Sequence, residues 1–246
     1  MNTPNIGSCL RFEIPQLLQN RLKFILILLT FLYSVNLLSQ NKNELKFEFI
    51  YQDSTLVLGK EYSVNSKQDS IRFDKIKFYI SNLCLYPKDG GVDTLKELFF
   101  LVDIKNLHST LIKSSTINFN DYNSISFDVG IDSITNMMGA FGGVLDPIHG
   151  MYWAWQSGYI NFKLEGTHSS CSTRNNEFLF HIGGYQYPFN MIQNVKIELS
   201  DSFVIQIFID KLMDKIDTLG LCEIMSPNQN GLFIAQSFQD IFKSKK

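Results

Sequence analysis

The sequence has no excess of basic charge and no glycine-rich phosphate loop: 22 Lys and Arg stand against 24 Asp and Glu in 246 residues. Phosphate-backbone binding needs clustered Lys and Arg, and the common nucleotide loops need closely spaced glycines, so nucleic acid and nucleotide partners are excluded. No G-x-S-x-G elbow, H-E-x-x-H helix or C-x-x-C pair occurs either, which removes the familiar hydrolase, zinc-protease and dithiol signatures. Asp128, Asp132, Asp146 and Glu165 are the carboxylates available for a glycosidase-type pair. Aspartates of this kind more often cap turns, and the chain reads as a binding protein rather than an enzyme. Internal repeats, low-complexity linkers and proline-rich hinges are also missing, and a single domain is the simplest organisation.

Long apolar runs are scarce. One, over residues 24–38, follows Arg11, Arg21 and Lys23 and precedes Ser39-Gln40-Asn41. At about fifteen residues it is short for a permanent membrane span and suits the hydrophobic region of an export signal. Residues 1–40 are therefore read as a signal peptide and 41–246 as the mature domain, with no permanent membrane span. Loss of Arg11, Glu13, Arg21 and Lys23 leaves 19 basic residues against 23 acidic ones, a net charge of −4. Cysteine is sparse too: Cys84, Cys171 and Cys222 remain in the mature chain. An oxidising compartment allows one disulfide and one free thiol, any pair being compatible with the spacing, while buried unpaired thiols are the alternative.

What is present is strand-like alternation. Phe47, Phe49 and Tyr51 share one face, as do Ile125, Phe127 and Val129; Ile160, Phe162 and Leu164; and Val195, Ile197 and Leu199. Phe203, Ile205, Ile207 and Ile209 predict a further long strand. Ile71 and Phe73 fall out of phase with Ile76, Phe78 and Ile80, which predicts a bulge or break at Asp74-Lys75. The apolar run over residues 95–102 predicts a strand covered on both faces. Lys88-Asp89-Gly90-Gly91, Gly142-Gly143, Gly183-Gly184 and Ser226-Pro227-Asn228 punctuate the runs. Helical spacing occurs only near the end, at Ile234, Phe238, Ile241 and Phe242. The expected fold is all-β, an antiparallel β-sandwich or barrel-like domain with a short C-terminal helix. Several strands are too short or unalternating for an outer-membrane barrel.

Both tryptophans of the chain, Trp153 and Trp155, lie in LDPIHGMYWAWQSGYINFKLEG, residues 145–166. As strand residues they would share one face with Met151, which offers a polarizable surface or else a core plug. Only four histidines occur. His149 precedes the tryptophans, His168 follows Gly166, His181 lies in an F-H-I-G-G strand and His108 in a surface loop. Neutral imidazole is the commonest metal ligand, and with thioether and aromatic neighbours it suits copper better than magnesium or calcium.

Phe78-Tyr79-Ile80-Ser81-Asn82, FDVGIDS from Phe127 to Ser133, the W-x-W segment and FHIGGY from Phe180 to Tyr185 together resemble the MbnP-like family. These are exported proteins of Gram-negative bacteria, periplasmic or at the cell surface, related to methanobactin-associated and methanotroph copper proteins. The resemblance spans residues 45–242. It implies a β-rich fold, a mononuclear copper site built from histidines and an oxidised tryptophan (kynurenine), and a di-haem peroxidase-like partner. By position it implies His181 as the main metal ligand with His149 as a second, and Trp153 or Trp155 as the modified or copper-proximal residue. Copper storage or delivery is the implied role. The alternative is a carbohydrate- or protein-binding module without metal, using Tyr152, Trp153, Trp155, Tyr185 and Tyr187 as an aromatic platform.

Overall fold

The 19-residue strand Asp69–Pro87 (β4) organises the fold. It is seen in a computed structural model that describes residues 43–64, 69–95 and 99–246 together with helical positions 21, 23 and 25. The export signal expected over residues 1–40 lies outside the described residues, those three positions apart. No described helix is long and apolar enough to cross a membrane.

Along one edge of β4 run three short antiparallel strands, Glu61–Val64 (β3), Phe99–Asp103 (β6) and Asp93–Thr94 (β5). Along its other edge Phe162–His168 (β11) and Tyr122–Val129 (β8) follow one another, and Tyr79 is where one gives way to the other. β8 continues into Gln193–Glu198 (β13), and β11 into Glu177–Ile182 (β12) and Glu223–Ile224 (β15). A second sheet is built on Glu44–Tyr51 (β1), paired with Val204–Phe208 (β14), Ser54–Thr55 (β2) and Leu111–Lys113 (β7), with Phe242–Ser244 (β16) beyond β14. The sheets are mixed rather than purely antiparallel, because β1–β14 and β12–β15 run parallel.

The alternating aromatics meet between the sheets. Phe47 packs edge-on against Phe78 at 6.0 Å and Phe127 at 6.2 Å, and Phe78 stacks on Phe162 at 5.6 Å. Such ring pairs add to the stabilisation from burial itself. The phase slip at Asp74 is a bulge. Lys75 faces Glu165 and Phe73 faces Gly166, which leaves Asp74 as the extra residue and keeps both Phe73 and Ile76 buried. Gly166 is required there, since a Cβ would lie 1.9 Å from the Arg72 carbonyl oxygen.

Two strand expectations are corrected. In the described part of residues 95–102 the strand is Phe99–Asp103, and Phe99 to Leu101 are only half-buried, on an edge strand paired with β4 among the described residues. The run through Ile209 stops at Phe208. Short helices are Ser133–Met137 (α1), Ile209–Asp217 (α2), Gln229–Ala235 (α3) and Phe238–Ile241 (α4). In α2 the buried Ile209, Leu212, Met213 and Ile216 recur at helical spacing, and Ile209 satisfies both periods at once. Phe242, grouped with the terminal helix by spacing, instead opens β16. A disulfide joins Cys171 to Cys222, Cα atoms 5.9 Å apart, and leaves Cys84 free. Residues 42–246 form one unit.

Candidate functional site

The tryptophan segment folds back over the outward face of the β4–β11–β12 sheet. Asp146 starts it by capping a short 3-10 turn, Pro147–His149, with its carboxylate accepting from the Ile148 N–H at 2.9 Å. Two lysines of the outward face then tie the turn down. Lys77 Nζ donates to the His149 carbonyl at 3.2 Å, and Lys163 Nζ donates to the Gly150 carbonyl. Beyond the turn, Tyr152–Trp153 (β9) pairs with Gly158–Tyr159 (β10) in a small hairpin. Met151, Trp153, Tyr159 and Ile160 pack with Tyr79, Ile131 and Leu145 into a second core on this face, and Tyr159 meets Tyr79 edge-on at 5.7 Å. Met151 is a core residue of this cluster, fully buried.

The two tryptophans do not share a strand face, because β9 ends at Trp153 and residues 154–157 turn. Trp153 is 4% exposed and Trp155 is 67% exposed, with ring centroids 6.0 Å apart. Gly183 of the F-H-I-G-G run explains how the indole fits. A Cβ there would lie 2.6 Å from the Tyr159 carbonyl oxygen and 3.0 Å from Trp153 Cζ3, so only hydrogen lets the hairpin approach the sheet. Trp153 also lines a cavity of about 230 Å³ with Gln156, Tyr185, Gln186, Tyr187 and Phe189.

His181 sits on β12 opposite Lys163, which is opposite Lys77 on β4, so the three span the outward face in one row. It is buried, and its Nε2 lies 2.8 Å from Glu165 Oε1. Glu165 also accepts from Lys75 Nζ at 2.6 Å and has Lys163 Nζ at 3.6 Å. Burial alone would raise the Glu165 carboxyl, but hydrogen bonds from His181 and Lys75 and the Lys163 charge outweigh it and hold the group at about 2. Burial lowers the Lys163 ammonium, against the opposing pull of Glu165.

A carboxylate only accepts, so in the neutral imidazole Nε2 carries the proton and Nδ1 keeps the lone pair. His181 Nδ1 is buried and has no hydrogen-bond partner. Carboxylate to one ring nitrogen with the other nitrogen free is the arrangement of a metal-ligating histidine, and imidazole suits copper. Trp153 Nε1 and Asn161 Nδ2 are likewise buried without partners; of the four such side-chain atoms among the described residues, three belong to this segment or the strand beside it. Native proteins leave few buried polar atoms unpaired, so three together call for a water, an ion or a ligand to complete them.

His149 is placed differently. Its ring turns to its own loop, with Nε2 3.0 Å from the Gly143 carbonyl oxygen, rather than to His181. Among the described residues no three His, Cys, Asp or Glu side chains group closely enough to share an ion. His108 is exposed in a loop. His168, buried at the far end of β11, has Nδ1 2.6 Å from Ser170 Oγ. Asp132 caps α1 through the Thr135 N–H at 2.9 Å, and Asp128 accepts from Asn82 and Asn194.

Sequence reasoning missed Lys75, Lys77, Lys163 and Asn161. Alternation puts Lys163 and Glu165 opposite Phe162 and Leu164, the face a strand normally gives to water. Nothing in that local pattern announces that residues 145–160 return to cover them.

A family model described as MbnP matches residues 40–225. Among solved structures the chain is similar to MbnP from Methylosinus trichosporium, at 12% identity over 70% of this chain and 76% of that one, with a TM-score of 0.48. No curated protein matches the chain at a significant level.

Proposed function

The chain belongs to the MbnP family, and from that premise we propose that it is an exported, non-enzymatic copper-binding protein serving storage or delivery. His181 supplies the imidazole ligand through Nδ1, with Glu165 holding the ring from Nε2. Trp153, rather than Trp155, is the tryptophan that is oxidised and lies beside the metal. The observation that carries this reading is the set of unpartnered buried nitrogens, His181 Nδ1 foremost. Leaving such an atom unpaired costs about 1–3 kcal/mol, which a bound metal would offset.

Copper, when bound, supplies a soft Lewis-acid centre that imidazole and oxidised-indole donors can hold. The protein's part is positional. Glu165 fixes the tautomer and orientation of His181, Lys75 and Lys163 keep Glu165 ionised, and Lys77 and Lys163 pin the turn that delivers Trp153. A di-haem peroxidase-like partner is the proposed oxidant. Trp155 leaves the buried Trp153 one ring from solvent, which suits an oxidant acting from outside.

Metal analysis and fragment-ion mass spectrometry on the exported chain test the reading. Copper near one per chain and a mass change assigned to Trp153 are the expected results. An unmodified Trp153 together with copper at background would overturn it.

A further inference from the structure

The cavity beside Trp153 has a lining of its own chemical character. Trp153, Tyr185, Tyr187 and Phe189 provide aromatic faces, Gln156 and Gln186 provide neutral amides, and among the described residues no Lys, Arg, His, Asp or Glu contributes to the wall. The wall is built rather than incidental. The Tyr185 carbonyl accepts from Ser133 Oγ at 2.8 Å, and its ring edge lies 3.2 Å from where a Gly158 Cβ would be. Trp153 is backed by Gly183. Tyr187, by contrast, is 97% exposed, with its ring given to solvent at the cavity mouth. The side-chain amides of Gln156 and Gln186 are committed to no hydrogen bond among the described residues.

A ligand matching this wall needs flat apolar faces for the rings and both donors and acceptors at its rim for the amides, which present a carbonyl and an NH₂ together. The described wall supplies no ionic partner, so it favours a neutral ligand over a charged one. At about 230 Å³ the space suits one ring-sized unit. A pyranose has C–H faces and a rim of hydroxyls. We infer that this cavity binds a neutral saccharide, one pyranose unit lying against the aromatic wall with its hydroxyls on Gln156 and Gln186 and Tyr187 stacking from the exposed side. A proline-rich peptide shares the taste for aromatics but takes an extended groove. The wall takes in neither His181 nor Glu165 and shares only Trp153 with the copper reading; an aromatic ring stands there whether or not Trp153 is oxidised, so the inference does not rest on that reading.

The test is titration of the exported chain with cellobiose, maltose and N,N′-diacetylchitobiose, and separately with decaproline, followed by tryptophan emission. Trp155, whose ring lies 6.0 Å from that of Trp153, reports on the site whether or not Trp153 is oxidised. A saturable response to at least one disaccharide is expected, unchanged by EDTA or high salt. Tyr187→Ala and Gln186→Ala, both at exposed positions, should each weaken it about tenfold while leaving copper content unchanged. The inference is overturned if none of the disaccharides gives a saturable response, if Tyr187→Ala binds as tightly as wild type, or if decaproline binds in their place.

Discussion

Replacing Glu165 by Gln removes the charge around which the site is organised while keeping its shape. In the folded chain the carboxyl is held at about 2, from an ordinary value of 4.5, by His181, Lys75 and Lys163. At about 1.4 kcal/mol per pH unit, that difference amounts to about 3 kcal/mol of folding stability at neutral pH. The Lys75 side chain is 56% exposed whereas that of Glu165 is 13% exposed, so part of the Lys75 contribution is screened and about 2–3 kcal/mol is expected. The folded value lies below the unfolded one, so the unfolded chain takes up the proton first as pH falls. The stabilisation is therefore complete above about pH 5 and lost progressively between 4.5 and about 2. Gln imitates the protonated carboxyl, and the two stability curves should converge in acid. Urea denaturation of both proteins from pH 7 down to pH 3, followed by tryptophan emission, measures the gap. A gap that stays constant over this range, or one below about 0.5 kcal/mol at pH 7, would refute the charge network as described.

Gly183→Ala should destabilise the chain by about 1–3 kcal/mol, read as a lower urea midpoint, because its methyl would meet the Tyr159 carbonyl at 2.6 Å. Trp155→Phe should leave stability within about 0.5 kcal/mol, whereas Trp153→Phe should cost about 1–3 kcal/mol; the remaining emission should be blue-shifted in the first variant and red-shifted in the second. Replacing Cys171 and Cys222 together by Ser should lower the melting temperature, with a cost of about 2–4 kcal/mol for opening a loop of 51 residues.

The core strands were legible because one residue in two faces the interior. Phe47, Phe49, Ile125, Phe127, Val195 and Ile197 alternate in the sequence and are buried in the fold. The Asp74 bulge was readable for the same reason, since an odd insertion reverses the phase. The α2 start at Ile209 was not, because that residue fits period two and helical spacing alike. Parallel pairing of β1 with β14 joins residues about 160 positions apart, and no local pattern encodes it. At the site, the tryptophans and histidines could be named from sequence as rare residues. Which tryptophan is buried depended on β9 ending one residue before Ala154, a turn decision within a few residues. The environment of His181 was hidden more deeply. Its carboxylate partner is 16 residues away on a neighbouring strand, and Lys163, which an alternating strand would leave to water, is buried beneath the tryptophan segment whose Gly150 carbonyl it holds.

The copper-to-protein ratio after equilibrium dialysis against copper, compared between wild type and His181→Gln, tests the central claim most directly. Copper near one per wild-type chain, falling to background in His181→Gln while the far-ultraviolet circular dichroism is unchanged, is the result the account predicts. Equal copper in the two proteins would contradict it.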